Sequence, residues 1–155
     1  MTTTLDIQDY LIKNSPWVKP DKTVDTVKIG DPARAVKKAG VCWYPALATI
    51  KAAHAAGCDL LITHEPTFWE HEAPELTWRN KEPGVTKRRF LEETGMVVLR
   101  AHDSWDNWPE LGIRDSWAKG LGLTKRLREG DDGHYLGLYV IEPQPLREFA
   151  RYVAE

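Results

Sequence analysis

The sequence predicts an α/β fold, a layered sandwich in which a mixed, largely parallel sheet is flanked by helices. Three observations predict it. First, Leu60-Leu61-Ile62 and Met96 to Leu99 are short continuous apolar runs, the pattern of strands buried on both faces. Second, Leu47, Ile50 and Ala53 recur at helical spacing just before the first run, which favours strand–helix–strand over a buried helix there. Third, the chain of 155 residues, 42% of them hydrophobic, has enough apolar material for one sizeable core. A single α/β domain over residues 1–155 is the expectation.

The elements follow in order. Thr3 and Asp6 read as a capping pair for a helix through Leu5, Tyr10, Leu11 and Ile12, ended by Asn14, Ser15 and Pro16. Trp17 to Asp25 reads as a loop. Val24, Val27 and Ile29 suggest a short strand before the Gly30-Asp31-Pro32 turn, and Ala39 to Trp43 another. Pro45 opens a helix that Gly57 stops. After the strand at Leu60, the stretch from Glu70 to Pro83 reads as irregular. Gly84 to Thr94 is a helix ended by Gly95, and Met96 to Leu99 the next strand. Ile113 to Leu121 is helical, Tyr135 to Ile141 a strand, and Pro145 opens a last helix to Glu155.

Composition narrows the partners. With 21 basic and 23 acidic residues the net charge is −2, which gives no reason to expect nucleic acid or an anionic membrane surface. No apolar run approaches the ~18 residues of a membrane span. The amphipathic N-terminus lacks the basic start and apolar block of a secretory signal. The two cysteines, Cys42 and Cys58, are expected to be buried free thiols. Together these features point to a cytoplasmic protein.

Chemistry concentrates in two segments. Ile62-Thr63-His64-Glu65-Pro66 places an imidazole and a carboxylate just past a buried strand. In open α/β sheets ligands collect at the carboxyl ends of strands. Ala101-His102-Asp103-Ser104-Trp105-Asp106 follows the next buried strand and occupies an equivalent end. If those strands are close neighbours, His64, Glu65, His102, Asp103 and Asp106 converge. Mixed nitrogen and oxygen donors suit Zn, Mn, Fe or Ni better than Ca, and the residues do not choose among them. The plainer reading stays open: His64 and Glu65 facing water, His102 and Asp106 capping local turns.

Other candidates carry less. His54 reads as a surface residue, His71 as part of a solvated loop that could also reach a metal, and His134 as structural. Neither cysteine has a histidine at informative spacing. The chain has no GxxxxGK phosphate loop and no GxSxG elbow. Trp69, Trp105 and Trp108 adjoin the two segments, where aromatic walls suit a planar heterocycle as well as they suit a core or subunit interface.

ITHEPTFW resembles the strand-end motif THHPLIF of the dinuclear-metal family named after NGG-interacting factor three, whose members also bear the name GTP cyclohydrolase I type 2. HDSWDNWPELGIRDSWAKGLGL, His102 to Leu123, is similar to that family's second motif, and VKIGDPARAVKKAGVCW and EPQPLREFARYV to its flanking blocks. The resemblance implies an α/β fold, two divalent metal ions per subunit and a toroidal homohexamer, a trimer of dimers. It implies His64 and Asp106 as metal ligands and His102 near the site. Glu65 stands where a second histidine is usual and can take that metal-ligand role, an anion in place of a neutral donor, so that His64, Glu65 and Asp106 are expected to share one metal centre. Asp103, Ser104 and Trp105 replace Thr, Asn and Leu.

The family's later half supplies a further His and Glu in a GHxxxE-like segment that these 155 residues lack. The chain is therefore expected to correspond to the N-terminal portion of a longer family member, with an incomplete metal site. The expected activity is that of a metal-dependent hydrolase, a cyclohydrolase acting on GTP or a related purine nucleotide. The alternative is a metal-binding, ring-forming scaffold or regulatory protein without turnover.

Overall fold

The computed structural model describes residues 1–71, 78–129 and 137–155, with residues 128 and 129 described as backbone alone. The chain divides into two compact units, Met1–Trp105 and Asp106–Glu155.

The first unit opens with α1 (Thr4–Lys13). Its start follows the capping logic of the sequence. The Asp6 N–H donates to Thr3 Oγ1 at 3.2 Å, and the Thr3 N–H donates to Asp6 Oδ2 at 2.7 Å. Then come β1 (Val27–Ile29), β2 (Ala39–Cys42), α2 (Leu47–Ala55), β3 (Leu60–Thr63), a 3-10 turn at Trp78–Asn80, α3 (Gly84–Thr94), β4 (Val97–Arg100) and the short helix α4 (Asp103–Asp106). α3 stops where Gly95 takes up φ +65°, a left-handed conformation that costs glycine little.

The sheet order is β1-β4-β3-β2. β2, β3 and β4 run parallel, and β1 is antiparallel to β4. The sheet is thus mixed and mostly parallel, as the apolar runs imply. Leu60, Val97 and Leu99 face one side, where Ile7 and Leu11 of α1 pack on them. Leu61 and Val98 face the other side, with Ile50 of α2 and Leu91 of α3. Burying each such side chain contributes about 2 kcal/mol, and a double-sided sheet uses every position of its central strands. β3 and β4 are those central strands. They are neighbours in register, with Thr63 opposite Arg100, so the chain leaves both at the same level.

Three expectations need correction. Val24 lies outside β1, because the Asp103 carboxylate takes its N–H at 3.2 Å. The cysteine thiols are free but half-buried rather than buried. The segment after β4 is helical at Asp103–Asp106, where the reading from sequence had no helix. The second unit contains α5 (Ile113–Gly120), the antiparallel pair β5 (Arg126–Glu129) and β6 (Gly137–Tyr139), and α6 (Leu146–Ala154). β5 has no counterpart in the sequence reading, since Arg126-Leu127-Arg128-Glu129 carries little apolar signal. His134, Tyr135 and Leu136 lie outside the described residues. Among the described residues no helix is long and apolar enough to cross a membrane.

Candidate metal centre

The exit of His64 from β3 is held by two neighbouring strands. Its N–H lies 3.2 Å from the Trp43 carbonyl, which also accepts the Glu65 N–H at 2.8 Å, so the end of β2 guides the turn. The carbonyl of His64 accepts Arg100 Nε at 3.0 Å. Arg100 is fully buried at the end of β4, and its guanidinium also donates to the carbonyl of His71. One cation therefore ties together two parts of the connection that follows β3, each carrying a histidine. The Trp43 ring stacks on the His64 imidazole, centroids 4.0 Å apart and planes 10° from parallel, covering one of its faces.

His102 is placed by Asp25. That carboxylate is buried just before β1 and accepts three backbone N–H groups: His102 at 2.7 Å, Asp103 at 2.9 Å and Ser104 at 2.8 Å. These are donors at the start of α4 that have no partner within the helix, and an anion suits them. The side chain of His102 is oriented in turn by Asp103, whose Oδ1 lies 2.9 Å from Nδ1. Burial alone would raise the Asp103 carboxyl. Hydrogen bonds from His102, Thr23 and the Val24 N–H outweigh it and hold the group at about 2, against an ordinary 3.8. An ionised Asp103 fixes the proton on Nδ1 and leaves Nε2 with its lone pair.

The rings of His64 and His102 lie 4.4 Å apart. Asp106 is the last residue of α4, a helix whose first three residues belong to the first unit. One ligand atom each from His64, His102 and Asp106 lie within 4.8 Å of one another. Donors around a zinc-like ion at about 2.1 Å are at most about 4.2 Å apart, so small side-chain rotations close the group. Two imidazoles and one carboxylate are a recurrent donor set for Zn, Fe or Mn. The Asp103–His102 pair supplies the outer carboxylate that such sites use to orient an imidazole. The residues present fit a divalent ion.

Glu65 stands outside this group of three, with Oε1 at 3.7 Å from His64 Nδ1. His71 is exposed, as a solvated loop implies, and also lies near the site. Its ring is 4.9 Å from that of His102, and its Nδ1 is 3.2 Å from a guanidinium nitrogen of Arg100. Burial, then Arg100 and His102, lower its pKa below 6.5 against the opposing pull of Asp103 and Glu65. With Arg100 donating to Nδ1, the neutral ring carries its proton on Nε2. His54 is exposed on α2, edge-on to Phe90. Asp25, Arg100 and Trp43 were missed by sequence reasoning. Only the burial expected of β4 hinted at one of them, since a charged residue ending a buried strand needs partners.

The fold and this donor group define a class: an α/β protein with imidazoles and carboxylates gathered at the carboxyl ends of adjacent parallel strands. The chain belongs to the Duf34/NIF3 (NGG1p interacting factor 3) family, whose model matches residues 20–155. It is 30% identical over 131 residues to the GTP cyclohydrolase 1 type 2 homolog of Halobacterium salinarum, covering 81% of this chain and 48% of that protein. It is 32% identical over 100 residues to the protein of the same name from Chlamydia pneumoniae, covering 63% of this chain and 37% of that one. The chain thus spans about half the length of the longest-matched of these relatives. Among solved structures, reduced HcgD from Methanocaldococcus jannaschii superposes with a TM-score of 0.62 at 22% identity, over 85% of this chain and 52% of the other. TTHA1606 from Thermus thermophilus gives 0.63 at 23% identity, over 96% and 57%. At that identity these two structures speak for the fold alone.

Proposed function

We propose that this chain contributes a divalent metal centre to a metal-dependent hydrolase acting on a purine nucleotide, GTP or a relative of it. The observation that carries the reading is the convergence of His64, His102 and Asp106. The names of the relatives, GTP cyclohydrolase 1 type 2 homolog, support the substrate class. A divalent ion supplies Lewis acidity and lowers the pKa of water toward neutrality. The chain's own part is to hold and shape the donors. Asp25 fixes the backbone of His102, Asp103 fixes its proton, and Arg100 and Trp43 fix His64. Glu65, beside His64, is a further donor for a second ion. The family resemblance extends the proposal to a homohexamer in the cytoplasm.

The test is metal content together with turnover. Purified protein is dialysed against Zn or Mn, its bound metal counted, and GTP hydrolysis followed beside a His64→Ala control. Metal bound by the wild type and lost in the control, with hydrolysis, supports the reading. Metal bound without hydrolysis supports the alternative of a non-catalytic, ring-forming scaffold. Equal metal content in both proteins removes the centre as placed here.

A further inference from the structure

A second site lies in the same unit and uses none of the donor residues. A cavity of about 270 Å³ is walled by Tyr44, Trp69 and Trp78, with Lys87 and Glu82 among its few polar lining residues. Thr67 to Trp69 form one side of it, and Tyr44, the residue after Trp43, another.

The walls are held in place. Trp69 has φ +72°, a left-handed backbone that a bulky residue adopts only when its surroundings enforce it. The residue is 69% exposed, and the Tyr44 ring meets its ring edge-on at 6.3 Å. Trp78 rides on a 3-10 turn that presses against Gly84, where an added Cβ would come within 2.1 Å of the Trp78 carbonyl oxygen. Lys87 is buried, donates to the Thr67 carbonyl at 2.9 Å, and sits 4.8 Å over the Tyr44 ring. A strained backbone that keeps an indole in water, beside a cavity lined with further rings, is costly for folding alone.

We propose that this cavity is a stacking subsite for a flat, uncharged heteroaromatic ring system. Size sets the first limit: ligand pockets for whole drug-sized molecules run from roughly 300 to 1,000 Å³, so this one takes a ring system and leaves its substituents outside. Charge sets the second. The buried Lys87 ammonium disfavours a cationic ring and the Glu82 carboxylate an anionic one, so the pair favours an uncharged ring over the quaternary-ammonium ligands that aromatic cages otherwise take. Glu82 lines the cavity with its Oε2 taking the Thr86 hydroxyl at 2.9 Å, and its other oxygen is an acceptor for a ring N–H, so the preferred ring carries one. The inference rests on the proposed function only in naming the ring as part of the substrate; the binding is independent of metal.

The experiment follows tryptophan fluorescence on the whole chain during titration with inosine, ribose and 1-methylquinolinium. Wild type and the variants Trp69→Ala, Glu82→Gln and His64→Ala are compared. Inosine is expected to bind wild type and His64→Ala alike, and Trp69→Ala about ten-fold more weakly, the usual worth of one stacking ring. Ribose and the quinolinium ion are expected not to bind. Trp69 is exposed, so its truncation leaves the core intact, and Glu82→Gln, which keeps one neutral acceptor oxygen, provides a second reading through a smaller loss of affinity for inosine. Equal inosine affinity in Trp69→Ala and wild type overturns the proposal, as does equal binding of ribose. Loss of inosine binding in His64→Ala also overturns it, since the ring would then sit at the donor group. Failure of metal binding with inosine binding intact would sink the proposed function and leave this subsite standing.

Discussion

Asp25 and His102 stand 77 residues apart in sequence, and the carboxylate of the first accepts the backbone N–H of the second at 2.7 Å. The same carboxylate takes the next two N–H groups of the chain as well. Through this one residue the approach to β1 decides where a candidate metal ligand stands. Asp25→Ala would leave three donors at the start of α4 without their acceptor. A loss of about 3 kcal/mol or more is expected in urea unfolding, with Asp25→Asn milder because one oxygen survives.

Asp103 makes stability depend on acid. Its folded pKa, about 2, lies below the ordinary 3.8. The folded state therefore binds this proton less readily than the unfolded state does. The contribution is fully present above about pH 4 and is lost as pH falls from there toward 2. Asp103→Asn is expected to flatten the acid limb of the stability curve in that window. The same variant should weaken Zn or Mn binding about 10–100-fold, the usual cost of losing an outer carboxylate, as read by calorimetry.

Arg100 is expected to be intolerant even of lysine. Its Nε serves the carbonyl of His64 at 3.0 Å while the rest of the guanidinium serves His71, and a single ammonium cannot present that fork. Arg100→Met takes the donor from the buried carbonyl of His64 and from the half-buried carbonyl of His71, and about 2–4 kcal/mol of stability should be lost. Removing the cation also removes one of the influences that depress His71. Its pKa, followed by NMR titration of the imidazole, should rise in the variant, and an unchanged value would contradict the contact.

Gly84 tests the packing under the second cavity. A methyl group there would overlap the backbone of Trp78 at 2.1 Å, and backbone gives way less easily than a side chain. Gly84→Ala is expected to cost about 1–3 kcal/mol in a thermal melt, despite its better helix propensity. A stabilised variant would show that the turn carrying Trp78 is free to move.

Much of the layered fold was legible because its signals are local. The capping pair Thr3–Asp6, the left-handed stop at Gly95 and the apolar runs of β3 and β4 each lie within a few residues of sequence, and each element forms where they point. α4 was not legible. Its four residues carry no helical periodicity, and its start is capped by Asp25, a residue that nothing in the sequence links to it.

The candidate site divides the same way. The sequence by itself determined which residues have donor atoms and that they follow buried strands, because residue type and apolar runs are properties of the chain. Whether those strands are neighbours was decided only by tertiary structure. β3 lies beside β4 with Thr63 opposite Arg100, and that register brings His64 and His102 to the same level of the sheet. The partners of these histidines were decided there too. Asp25, Arg100 and Trp43 reach them through contacts between distant segments, and hydrogen bonds and ring stacking act over a few ångströms of space without regard to separation along the chain.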